Sequence, residues 1–401
     1  MSLWPLAAVI VASFALLAVI AHAQRRQLRT PTAHLHGSVP AVSILKPLKG
    51  VDEELEANLT SIFRLDYPCF EVLLGVQSPD DPALPVARRV AATHPNVSAR
   101  VVVDSRRTSF NPKVNNLANI LAVARHDVLL VSDSNVRVGP AYLADLVGHL
   151  QQPGVELVSS PIRACAGPGL GAALEALQLN TFVMGGVSAL ASLGRVCVVG
   201  KSMLLRRRTL DAIGGLPFLG RYLAEDQVCG EEVARLGGRI ALSGQPVENV
   251  LGALSVRDFL HRHLRWARIR RWVSPAGYVA EILLNPVAIA AVAAAAAHTL
   301  AALGLAAITV VAKAILDWRS AQVAGAPLSL ARAIVLVPLK DLLLGAAWAV
   351  PFFAHTVSWR GNRFRIGRRS MLSPLAVTSA PAGQLAPAHG GLAPAGVVAP
   401  D

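Results

Sequence analysis

Charge is scarce in this chain: of 401 residues, 16% are charged and 53% are hydrophobic, too little charge for a protein lying wholly in water. Cysteine is scarcer still. Cys69, Cys165, Cys197 and Cys229 make no CxxC pair and no metal spacing, so a zinc site or disulfide framework has no basis and ordinary buried, reduced thiols are expected. A phosphate-binding P-loop is lacking as well. GRVCVVGKS, residues 194 to 202, puts five residues between Gly194 and Gly200 where a P-loop has four, and its Gly-Lys closes a strand-like run instead of opening a helix. That removes the ATPase reading.

Residues 3 to 22, LWPLAAVIVASFALLAVIAH, carry no charge and are long enough to cross a bilayer as one helix. Ala21-His22-Ala23 has the small-x-small form of a signal-peptide cleavage site, but no Lys or Arg precedes the apolar run, whereas Arg25, Arg26 and Arg29 follow it. The expectation is an uncleaved anchor over 1–24 with a cytoplasmic body behind it. Residues 282 to 312 are again uncharged, and 333 to 358 are apolar except for Lys340 and Asp341, so 279–358 reads as a C-terminal membrane region of two to four spans. Lys340 and Asp341 admit two readings, functional intramembrane charges or an adjacent pair at the interface. The stretch 373–401, rich in Pro, Ala and Gly without periodicity, reads as a disordered tail.

The net charge of +13 raises nucleic acid as a partner, but the basic residues bunch in RRQLR (25–29), RHLRWARIRR (262–271) and WRGNRFRIGRR (359–369), each beside an apolar segment. That placement suits a lipid bilayer surface and argues against nucleic acid.

Between the anchors, residues 40–275 read as one α/β domain. AVSILKPL (41–48), FEVLLGVQ (70–77), ARVVVD (99–104) and DVLLVSD (127–133) look like buried strands, with a helical pattern in EELEANLTSIF. Alternation of this kind predicts a mostly parallel sheet that binds ligand beyond the carboxyl ends of its strands. The strand ends carry Lys46 and Lys49, then Asp80 and Asp81, then Asp133, Ser134 and Asn135. Lysines and carboxylates on one sheet edge suit a phosphate-rich ligand with a divalent cation.

KPLKG, DDP, NPKVNNL (111–117), SDSNVRV (132–138 with Val131 before it), AED (224–226) and RHLRW (262–266) occur in an order that resembles the ceramide glucosyltransferases, inverting membrane enzymes with a Rossmann-like GT-A fold. Bacterial hopanoid glycosyltransferases, which use UDP-N-acetylglucosamine, share most of this layout. The resemblance implies a UDP-sugar donor, glucose first, a membrane lipid acceptor, ceramide first, and Mg²⁺ or Mn²⁺ at the DxD-like Asp133, where Asn135 replaces the second acid. It further implies donor contacts from Lys46, Asp81, Lys113, Asn115, Asn116, Asp133, Asn135 and Lys201, with Asp80 as the alternative to Asp81. Asp226 is the expected general base, because an alcohol needs a carboxylate within hydrogen-bond reach to take its proton, and Glu225 is expected to orient the loop. Arg262, Arg265 and Trp266 match the (Q/R)xxRW motif; the two guanidiniums at i and i+3 would address a pyrophosphate while the indole walls the acceptor cleft. Each motif has a structural alternative: Asp-Asp-Pro is ordinary turn chemistry, Asp133 and Asp226 suit helix caps, NPKVNNL a polar helix face, and the arginine helix a membrane-surface anchor. QLNTFVMGG (178–186) lacks the histidine that eukaryotic members carry there. Rival classes are a non-enzymatic membrane protein with a nucleotide-binding domain and a processive polysaccharide synthase; a bacterial inner-membrane location is expected, and oligomeric state is open.

Overall fold

The computed structural model describes residues 4–354, 356–359 and 362–375. In chain order the elements are α1 (Trp4–Leu28), β1 (Val42–Pro47), α2 (Leu55–Phe63), β2 (Phe70–Val76), α3 (Ala83–Thr93), β3 (Ser98–Val103), α4 (Pro112–Leu121), β4 (Val128–Ser132), β5 (Val136–Arg137) and α5 (Tyr142–Leu150). They continue with β6 (Val155–Ser159), β7 (Ile162–Cys165), α6 (Leu170–Gln178), α7 (Met184–Ser192), β8 (Ser202–Arg206), α8 (Arg207–Ala212), α9 (Gly215–Leu219), α10 (Glu225–Arg235), β9 (Arg239–Leu242) and β10 (Val247–Val250). The last are α11 (Val256–Val273), α12 (Pro275–Ala280), α13 (Pro286–Ala297), α14 (Leu300–Val323), α15 (Leu330–Ala349), β11 (Thr356–Trp359), β12 (Asn362–Ile366) and β13 (Leu372–Pro374).

The four expected strands form as β1 to β4. β1 and β4 are buried along their whole length, as in strands covered on both faces; β4 is a run of Val and Leu, whereas in β1 Ser43 and Lys46 are buried beside Val42, Ile44 and Leu45. The central sheet runs β3-β2-β1-β4-β8-β6-β9, parallel through β3, β2, β1 and β4 and antiparallel where β8 enters. Strand order therefore reverses between β1 and β4, the switch point at which the connections leave in opposite directions and open a crevice. One apolar cluster, with Ile44, Val72, Leu130 and Leu204, fills one face; a second, with Leu73, Val114, Leu129 and Leu205, fills the other. A smaller sheet, β5-β10-β7, extends the crevice wall.

Local chemistry sets the ends of the site-bearing helices. Asn111 caps α4 by accepting from the N–H groups of Lys113 and Val114, with Pro112 preset for the first turn. Ser255 and Asp258 form a capping box that starts α11.

Three helical segments are long and apolar enough to cross a membrane, Trp4–Leu28, Leu300–Val323 and Leu330–Phe352, and Pro275–Leu284 with Pro286–Ala297 makes a further pair bent by 70°. The loop that leads into α15 meets the α/β body, where Gly325 lies against the Arg163 guanidinium of β7. At the other end of α15 the contact is with α12 of the bent pair, the Trp348 indole N–H donating to the Tyr278 carbonyl (2.9 Å) and the Tyr278 hydroxyl to that of Trp348 (2.8 Å). The chain then returns through β11 to β13, and Leu223 N–H donates to the Ser370 carbonyl at 3.0 Å. Two readings change here. The basic run at 359–369 is partly occupied by protein, since Arg369 pairs with Glu231 and Glu232 of α10. Ser373 and Pro374, placed in the tail by composition, belong to β13; the rest of that tail, from residue 376, lies outside the described residues.

Candidate active site

The loop after β4 puts Asp133 at the mouth of the switch-point crevice. Its carboxylate lies 2.9 Å from the Lys113 ammonium and 3.5 Å from that of Lys201. Lys113, on the first turn of α4, also reaches Glu225 at 3.1 Å, and Lys201 donates to the Asn135 amide oxygen at 2.7 Å. Burial works against the charge of Lys113, but Asp133, Glu225 and Asp226 outweigh it and hold its pKa above the ordinary lysine value. Lys201 goes the other way: burial lowers its pKa, with Asp133 in partial opposition. The result is two ammonium groups around one carboxylate, an arrangement able to receive a diphosphate.

Asp226 sits across from this pair at the start of α10. Its two oxygens accept from the backbone N–H groups of Gly200 and Gln227, each at 2.8 Å. Burial and the neighbouring Glu225 carboxylate push its pKa up to about 6, against the pull of Lys113. Only a glycine permits this contact, because a Cβ at position 200 would come within 2.6 Å of the carboxylate oxygen. The GRVCVVGKS segment, expected to be strand-like, is irregular up to Lys201, and β8 begins at Ser202. A strand would have turned the Gly200 N–H into the sheet ladder instead of toward Asp226.

Four expected donor contacts lie within the scaffold. Lys46 is fully buried, and its ammonium donates to the Asp133 carbonyl (2.8 Å), the Ser132 hydroxyl (3.3 Å) and the Val136 carbonyl (3.4 Å). Burial takes its pKa down to about 7, so it shapes the Asp133 loop from beneath. Asn115 accepts from the N–H groups of Thr108 and Ser109 and donates to the Ser109 carbonyl, which pins its own loop. Asn116 donates to the carbonyls of Leu48 and Gly75 and ties β1 to β2. Both side chains are buried, so neither belongs to a polar helix face turned toward solvent. Asp81 accepts from Gly50 N–H and Ala83 N–H, both at 2.9 Å, the turn chemistry of Asp-Asp-Pro, and thereby links the loops after β1 and β2.

On α11, Arg262 donates to the Glu175 carboxylate at 3.1 Å, and the adjacent His263 ring nitrogen meets the other oxygen at 2.8 Å. Trp266 packs on the main core and stands edge-on to His263, ring centroids 5.4 Å apart. Arg262 therefore shares its charge with a buried partner, and Lys201 still feels that charge. Farther along, Arg270 makes two hydrogen bonds to Glu281 and Arg271 lies 5.2 Å over the Phe352 ring, so these arginines bind the protein's own helices.

Several contributors escaped sequence reasoning. Gly200 and the bracing Ser370, whose hydroxyl accepts from Ala224 N–H at 3.0 Å, hold the Glu225–Asp226 turn from sites far away in sequence. Asp52 accepts from the Ser134 hydroxyl. No local pattern marks these residues. Among the described residues no three His, Cys, Asp or Glu side chains converge to hold a metal by themselves. Asp133 with Asn135 fits a hard cation that takes its remaining ligands from a diphosphate and water, and does not fit an all-protein cage.

A Rossmann-like, mostly parallel sheet with charged groups gathered at its switch point defines a GT-A-like fold. A mannosyltransferase from Pyrobaculum calidifontis, solved with GDP-mannose and Mn²⁺, shares this fold with a TM-score of 0.54 at 20% identity, over 84% of this chain and 97% of that one. The chain belongs to glycosyl transferase family 21, whose model matches residues 5–372. Ceramide glucosyltransferase 1 of Caenorhabditis elegans is 31% identical over 252 residues, 61% of this chain and 53% of the relative. The ceramide glucosyltransferase of Komagataella phaffii is 30% identical over 330 residues, 67% and 63% of the two chains. The chain thus spans between about half and 63% of the length of these curated relatives.

Proposed function

We propose that the protein transfers a hexose, glucose first, from a UDP-sugar to a lipid hydroxyl, ceramide first, by one inverting displacement on the cytoplasmic face of a bacterial inner membrane. The observation that carries this reading is Asp226, a carboxylate with its pKa near 6, facing Lys113 at the switch point. At pH 7 such a group is mostly ionised, yet is a stronger base than an ordinary carboxylate, which suits removal of a proton from an attacking alcohol. Lys113 and Lys201 balance the diphosphate charge as the leaving UDP departs, and Asp133 with Asn135 would hold a divalent cation there, whose chemistry is to neutralise the same phosphates. A single displacement needs one catalytic carboxylate, and inversion of an α-linked donor gives a β-glycoside.

Two features support a lipid acceptor: the ceramide glucosyltransferase relatives, and apolar helices packed against α11 beside the site. Membranes containing the protein are to be incubated with labelled UDP-glucose, UDP-N-acetylglucosamine and UDP-galactose, and the lipid extract analysed. Glucosylceramide is the expected product. A labelled hopanoid made only from UDP-N-acetylglucosamine would replace the acceptor and donor; no labelled lipid from any donor would end the lipid-acceptor reading.

A further inference from the structure

Where α1, α11, α14 and α15 meet, a cleft with an empty volume of about 860 Å³, its mouth included, is lined by polar groups inside an otherwise apolar bundle. Four of them form a closed set of opposite charges. Lys313 lies 2.5 Å from Asp317 and 3.5 Å from Asp341; Lys340 lies 3.1 Å from Asp317 and 3.0 Å from Asp341. All four are buried, at 1 to 5% exposure. Side chains of this kind are costly within a bilayer, and a purely structural clamp between α14 and α15 would be served as well by apolar packing.

Two further observations point to a ligand. Gln24, 1% exposed, also lines the cleft; its amide nitrogen donates to the carbonyls of Asn180 and Ser320, while its amide oxygen accepts no hydrogen bond among the described residues. The second is continuity with the active site. Glu175 holds Arg262, whose charge reaches Lys201, and with its other oxygen holds His263, which lines the cleft. One helix thus presents consecutive residues toward the donor side and the cleft. The Gln24–Ser320 contact ties α1 to α14, and Lys313 and Asp317 precede Ser320 on α14 by seven and three residues, roughly 10 and 5 Å along the helix at 1.5 Å per residue.

We propose that this cleft receives the polar head of the acceptor lipid, a neutral head with hydroxyl and amide groups, and that the four charges and Gln24 are its hydrogen-bond partners. Neutrality follows from the set itself: two ammonium and two carboxylate groups sum to no net charge, so they offer a neutral head both donors and acceptors and give an anionic head no net attraction to offset its desolvation. The proposal rests on the lipid-acceptor reading of the active site and adds where and how that lipid is recognised.

The test uses the full chain in mixed micelles with a diazirine-bearing ceramide as photoprobe, peptide mapping of the label, and steady-state kinetics. Label is expected on residues of α1, α14 and α15 that line the cleft, displaced by unlabelled ceramide and not by an equal surface fraction of phosphatidylglycerol. Ala21→Phe, which narrows the cleft while retaining every charge, is expected to raise the surface KM for ceramide at least tenfold and to move the donor KM less than twofold. Asp341→Asn leaves the set with a net positive charge and is expected to weaken ceramide labelling and strengthen displacement by phosphatidylglycerol. Label elsewhere, or an unchanged acceptor KM in Ala21→Phe, with normal transfer to ceramide, would overturn the cleft and leave the proposed activity standing. Stronger displacement of the wild-type label by phosphatidylglycerol than by ceramide would overturn the neutral-head assignment. Cleft labelling in a protein that glycosylates no lipid would overturn the acceptor assignment and the activity with it.

Discussion

Replacing Asp226 with asparagine isolates basicity from shape. The side chain keeps its volume, but its two oxygens now accept from Gly200 N–H and Gln227 N–H, so the amide can satisfy only one of the two bonds and turns an NH₂ toward the other donor. The same change removes a negative charge beside Glu225, which partly offsets that loss. Folding should therefore survive, with donor affinity little changed. Loss of the proton acceptor removes the contribution of general-base catalysis, about 10² to 10⁴-fold, equivalent to roughly 3 to 5 kcal/mol of barrier. The pH profile gives a second reading. The active form of the base is the carboxylate, and burial raises its pKa to about 6, so wild-type kcat/KM should be full above that value and fall as pH drops through it. The assay is transfer of labelled glucose from UDP-glucose to ceramide in mixed micelles between pH 5 and 8, with donor binding measured separately. Near-normal transfer by Asp226→Asn, or an acidic limb near pH 6 that persists in the variant, would refute the assignment.

Gly200→Ala leaves the base chemically intact but drives a Cβ to within 2.6 Å of its oxygen; transfer should fall at least tenfold, and an unchanged rate would mean that the Gly200–Asp226 contact is dispensable. Lys113→Met removes a charge that lowers the Asp226 pKa, so the acidic limb should move to higher pH and the donor KM should rise, both readable in the same pH series. If Asp133 acts through a divalent cation, excess chelator should abolish transfer and Mg²⁺ or Mn²⁺ should restore it; full activity in chelator would leave Lys113 and Lys201 as the only balance for the diphosphate.

What the sequence determined by itself were features whose physics is local. Short runs dominated by Val, Ile and Leu, broken in β1 by Ser43 and Lys46 and in β2 by Glu71 and Gly75, mark β1, β2 and β4 as strands, and their alternation with helices implies a mostly parallel sheet. The uncharged run of α1 with Arg25 and Arg26 behind it marks a membrane helix in the same way. That Asp133, Lys113, Lys201 and Asp226 stand at strand and helix ends, the places such a sheet exposes to ligand, was legible too, and the fold brings the four together. The tertiary structure decided what depends on partners distant along the chain. Lys46 ends β1 like a ligand-binding residue, but pairing with β4 brings the Asp133 carbonyl over its ammonium and closes it inside. Asn115 and Asn116 read as a polar helix opening, but the packing of α4 on the loops after β1 and β2 buries both and bonds the Asn115 oxygen and the Asn116 amide nitrogen to the backbone. Lys340 and Asp341 read as an isolated adjacent pair; only the antiparallel approach of α14 supplies Lys313 and Asp317 and turns two costly charges into a balanced set of four. Burial and opposite charge at close range are properties of the folded neighbourhood, and a one-dimensional pattern records neither.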